Sequence, residues 1–111
     1  MFRKYIILMI VTLSGVANAD EVVLLRGVTD CGQWLTARKA QKAWIYEGYL
    51  VGFIDALQLG KGKKIWDNKA TVITADQLYF WTDNFCNKNP LKTIVDSASE
   101  FSKEMNNTIY E

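Results

Sequence analysis

The sequence predicts an all-α fold: one small single-domain bundle of about four helices closed by one disulfide. Three observations point there. Capping residues recur just ahead of apolar runs, and apolar residues recur at spacings of three and four. The only two cysteines, Cys31 and Cys86, fall at the ends of these helical segments.

The first residues, "MFRKYIILMIVTLSGVANAD", set a basic start at Arg3 and Lys4 before an apolar run and a small-x-small Ala17-Asn18-Ala19. That pattern predicts a secretory signal peptide over residues 1–19, cleaved before Asp20. The apolar run falls short of the roughly 20 residues of a bilayer span, so no membrane span is expected after processing. The remaining domain, residues 20–111, has 11 Lys and Arg against 12 Asp and Glu. A formal charge of −1 gives no basic face for nucleic acid. An exported chain meets an oxidising space, where disulfides persist, and two cysteines allow only a Cys31–Cys86 bond. Closing that loop is expected to stabilise by about 4 kcal/mol, a large share for a small core.

Residues 20–28, "DEVVLLRGV", form a short apolar stretch suited to an extended arm. Asp30 then reads as an N-cap, with Gln33 three residues on in a capping-box variant. The helix it opens places Cys31, Trp34 and Leu35 on one side and Arg38, Lys39 and Lys42 towards solvent. From Ala43 the stretch "AWIYEGYLVGFIDALQLG" is apolar almost all round, broken by Glu47 and Asp55, and predicts a central helix buried by neighbours. Gly48 and Gly52 share one face and cost about 1 kcal/mol each against alanine. Such a face is expected to admit another helix of the fold, a partner, or a second copy in a homodimer. Gly60 is the expected C-cap.

Residues 60–73 make a Lys- and Gly-rich loop holding Trp66, which either folds back on the core or is offered to a partner; average tryptophan burial favours the core. "TADQ" from Thr74 to Gln77 is a capping box, and Leu78, Trp81 and Phe85 follow it at helical spacing. That helix is expected to end near Cys86 to Lys88. Asn89 then caps a last helix with Pro90 at its first position, carrying Leu91, Ile94, Val95, Ala98, Phe101 and Met105.

Catalytic chemistry is thin in this chain. It has no histidine, hence no imidazole base, no histidine metal ligand and no Ser-His or Cys-His pair. "GKGKK" lacks the spacing of a phosphate loop. Glu47 and Asp55 lie eight residues apart, about 12 Å along a helix. That exceeds the roughly 6.5–9.5 Å of an inverting carboxylate pair. No enzyme activity, metal or cofactor is expected, and the two acids are read as surface groups paired with Lys or Arg.

"CGQWL", "WIYEGYLVG" and "LYFWTDNFCNKNP" together resemble the HdeA/HdeB family of small exported helical proteins with one disulfide. Its distant members share a Cys-x-x-aromatic-Leu opening, a "WLxGYxxG"-like helix and a "YCxxNP"-like segment. Cys31, Trp34, Leu35, Trp44, Gly48, Tyr49, Gly52, Cys86, Asn89 and Pro90 match them, and the likeness spans most of residues 30–101. The resemblance implies a periplasmic acid-stress chaperone, a dimer that opens in acid and holds unfolding clients. "GYLVGFIDA" is also similar to immunity proteins of the Tai type, which neutralise toxins delivered to the periplasm by type VI secretion. Those tend to carry additional cysteines, which this chain lacks. Both readings imply a protein partner. An acid-opened chaperone needs carboxylates whose protonation removes favourable pairs, and twelve acids supply them. An immunity protein needs aromatic or arginine anchors, for which Trp66, Tyr79 and Tyr110 are candidates.

Overall fold

The computed structural model describes residues 25–67 and 72–109. The expected signal peptide at 1–19, most of the arm, and Tyr110 lie outside them. The described residues form four helices: α1 (Cys31–Lys39), α2 (Trp44–Lys61), α3 (Ala75–Lys88) and α4 (Ile94–Ile109). Among the described residues, β pairing is confined to two isolated bridges, Asp30 with Thr93 and Asp67 with Val72. No described helix is long and apolar enough to cross a membrane.

The caps of α1 and α3 form where the local signals place them. The Asp30 carboxylate accepts the Gln33 amide at 2.7 Å. The Gln33 side chain completes no box; it pairs with the Thr29 hydroxyl instead. Thr74 and Gln77 make the full reciprocal box. The α1 C-terminus closes as a Schellman turn, with the Lys42 amide on the Ala37 carbonyl and the Gln41 amide on that of Arg38. Gln41 occupies the left-handed position, at φ 58°.

Two boundaries differ from expectation, while α3 ends at Lys88 within the expected range. Lys61 ends α2, and Gly62, at φ 64°, supplies the left-handed cap expected of Gly60. Asn89 caps the end of α3 rather than the start of α4, its side-chain amide donating to the Phe85 carbonyl. Thr93 opens α4, exchanging bonds with Asp96, so Pro90 and Leu91 stay in the joint and Leu91 is 97 % exposed. The residues ahead of α1 dock on this joint: the Cys31 amide donates to the Lys92 carbonyl and the Ile94 amide to that of Thr29. That clasp sets Cys31 against Cys86, and their bond ties α1 to α3 as expected, with the Cα atoms 4.9 Å apart.

Packing runs in the order α1, α3, α4, α2, since the main contacts join α1 to α3, α3 to α4 and α4 to α2. The core holds Trp34, Leu50, Ile54, Ile65, Leu78, Ile94, Ala98 and Phe101. Inside it, the Ser97 hydroxyl meets that of Thr82 at 3.3 Å, and Thr82 donates to the Leu78 carbonyl. The apolar composition of α2 predicts a central position, yet α2 is an edge helix. Only Leu50 and Ile54 on it are buried, while Trp44, Ile45 and Leu59 are 73, 62 and 86 % exposed. Composition records apolarity without the number of neighbours, and the short chain provides one main neighbour here.

Candidate protein-binding surface

Arg38 follows Trp34 by one turn of α1, which puts the guanidinium beside a fully buried indole. It was expected in solvent and instead joins three helices. Its Nε and Nη2 donate to the two Asp83 oxygens at 3.0 and 2.8 Å, a bidentate fork onto α3. Nη1 donates to Glu47 on α2 at 2.9 Å. The hydrogen bonds to Asp83, then those to Glu47 against the opposing pull of burial, raise the Arg38 pKa above its ordinary value. The same guanidinium lies within 6 Å of the ring centres of Trp34, Tyr79 and Phe80. Burial first, and then the negative charge of Glu47 and Asp76, raises the Tyr79 phenol. Sequence reasoning named Tyr79 as an anchor and gave Glu47 a basic partner, but missed Arg38, Asp83 and Phe80; the available signal was an arginine four residues after a core tryptophan.

Beside Arg38 lies an open concavity of about 430 Å³ lined by Leu35, Arg38, Lys39, Gln41, Asp83 and Asn87. Phe80, 61 % exposed, sets its ring centre 5.7 Å from the guanidinium. Trp44 stands one turn before Glu47, hence on the same side of α2. An exposed phenylalanine and a half-buried tyrosine on a fixed arginine match the composition of protein-interface anchors.

Trp66 is folded back, as its burial tendency predicts. Its ring packs on Phe101 and its Nε1 donates to Asp55 at 2.8 Å. The Gln58 side chain holds the loop by accepting the amides of Ile65 and Trp66. Glu47 and Asp55 therefore serve separate partners: Glu47 meets an arginine as expected, whereas Asp55 takes an indole instead of a cation. A Cβ at Gly48 or Gly52 would meet no described atom within 4 Å. The close intramolecular packing that their spacing suggests is not made by the described residues, and the face is left open to a partner or a second copy.

Carboxylates also hold tryptophans elsewhere. Trp34 donates to Asp83 at 2.8 Å, Trp66 to Asp55 and Trp81 to Glu104 at 3.1 Å. The first joins α1 to α3, the second pins the loop to α2, and the third joins α3 to α4. No family model, curated protein or solved structure matches the chain. The functional reading therefore rests on this geometry and on the motifs.

Proposed function

We propose that this is an exported protein-binding protein of the acid-stress chaperone type, acting in the periplasm without catalysis. One observation carries the reading: the side-chain hydrogen bonds tying the Trp34, Trp66 and Trp81 indoles and the Arg38 guanidinium across elements all end on carboxylates. Hydrogen bonds to an ionised carboxylate are stronger than those to its protonated form, so acid weakens ties of this kind, while Arg38 keeps its charge throughout. The disulfide does not titrate and would keep the loosened chain compact. Aromatic surface now held against the core would then become available to unfolding clients. The test is light scattering from an aggregating client protein with and without the mature chain. Suppression at pH 3 and none at pH 7 supports the proposal, and equal aggregation at both would remove it.

An immunity role is the second reading, favoured by the preformed Arg38, Phe80 and Gln41 surface. A rigid patch of this composition suits one folded toxin at neutral pH. A Phe80→Ala variant that loses a toxin in a pull-down at pH 7, with no client protection in acid, would select it.

A further inference from the structure

The chain touches α2 once before α1 begins. The Gly27 backbone lies so close against the Tyr49 ring that a Cβ there would overlap it. Beyond Tyr49, Gly52, Ala56 and Gly60 follow along one side of α2 at spacings of three, four and four, and all three are exposed. Phe53 and Leu59 flank them, so these small residues form a shallow lane between two large ones. A Cβ at Gly52 or Gly60 would meet no described atom within 4 Å. Immediately upstream of Gly27 and Arg26 come Val22, Val23, Leu24 and Leu25, of which only Leu25 is described, 46 % exposed. We propose that residues 20–25 lie along this lane, antiparallel to α2, as the second neighbour that the apolar composition of this helix calls for.

The lengths agree. From Gly27 back to Val22 is about 17 Å of extended chain. From Tyr49 to Gly60 is also about 17 Å, at the helical rise. Leu24 then falls near Ala56 and Val22 near Gly60. Successive side chains of an extended segment point to opposite sides, so two of the four apolar residues face α2 and cover Leu59, which is 86 % exposed. In the opposite direction only about 8 Å of α2 remains between Tyr49 and Trp44, too little for four apolar residues.

The charges agree as well. In this register Asp20 and Glu21 pass the end of α2 and meet Lys61, Lys63 and Lys64, all exposed there. A helix C-terminus carries about half a negative charge, which three lysines outweigh. Asp55, the nearest acid on α2, is turned to the Trp66 indole. The arm is independent of the chaperone and immunity readings, since it concerns a different face.

Thiol labelling of the chain beginning at Asp20 tests the proposal at pH 7. Ala56→Cys should react with a maleimide about tenfold more slowly than the same variant lacking residues 20–24, as expected of a site covered ten times as often as it is open. Asp20→Lys with Glu21→Lys should recover most of the faster rate. Circular dichroism should show all three chains folded, because none of these changes touches the buried core. Cross-linking gives the direction even if truncation alters the fold. Either Val23→Cys or Leu24→Cys, whichever side chain points inward, should oxidise onto Ala56→Cys within one chain, and neither should link to Gly48→Cys. Equal labelling rates with and without the arm, links between two chains instead of within one, or links to Gly48→Cys would overturn the proposal.

Discussion

Arg38 makes three helices depend on one guanidinium, and its charge can be separated from its shape. Arg38, Glu47 and Asp83 are each about a quarter exposed, so water screens them in part. Hydrogen bonds to charged groups contribute about 1.5–3 kcal/mol when shielded; removing this fork by Arg38→Met should cost about 2 kcal/mol. Asp83→Asn keeps an acceptor for the Trp34 indole and the Arg38 Nε, but it loses the ion pair and sets an NH2 donor against Nη2, so it should cost about as much as losing one arm of the fork. Urea unfolding of both single variants and the double measures the split, and independent, additive effects would refute a shared fork. Gln41 offers a complementary test. It holds a left-handed conformation in which a Cβ costs about 1–2 kcal/mol. Gln41→Gly should raise stability by up to about 1 kcal/mol, roughly 4–8 °C in Tm for a domain this size, and Gln41→Val should lower it.

The elements differ in how far the sequence discloses them, and the reason is the range of the interaction. Asp30, Thr74 and Gln77 act within one turn, so the starts of α1 and α3 were legible. The cysteine pair was legible because two cysteines allow one bond. The start of α4 was not, since Asn89-Pro90 and Thr93-Asp96 are both adequate caps. The choice between them is made by the Thr29–Ile94 and Cys31–Lys92 bonds to a distant part of the chain. The edge position of α2 and the inward turn of Arg38 are likewise properties of neighbours. Of the candidate site, Gly48, Gly52, Trp66 and Tyr79 were singled out, while Arg38, Phe80 and Asp83 were not. The clasp of α1 onto α3 carries its own expectation. Both cysteines are fully buried, and Cys86→Ser removes a constraint of about 4 kcal/mol on a loop of 55 residues. Thermal unfolding should show a loss of well over 10 °C, and reduction of the unaltered chain should match it. A shift of only a degree or two would mean that the backbone bonds of the joint suffice alone.

At the scale of the whole molecule, the carboxylate ties differ from the apolar core in their response to acid. Burial of Trp34, Leu50, Leu78 and Phe101 is indifferent to pH, and so is the disulfide. The ties that end on Asp83, Glu47, Asp55 and Glu104 are hydrogen bonds to carboxylates, a kind of bond that is strongest with the acid ionised. The expected acid form therefore keeps its helices and its disulfide while tertiary packing loosens, the signature of a compact acid state. Far-UV circular dichroism should change little between pH 7 and pH 3, whereas the near-UV signal of the tryptophans should collapse over the same interval. Trp44 serves as an internal control because it is already 73 % exposed at neutral pH. Replacing it by Phe should leave the acid-induced red shift of fluorescence intact, since the shift comes from Trp34, Trp66 and Trp81. Asp83→Asn should reproduce part of the loosening at neutral pH and move the midpoint of the remaining transition upwards. A near-UV signal unchanged down to pH 2.5 would show that the apolar core and the disulfide hold the packing without the carboxylates, and the acid-opening mechanism would fall with it.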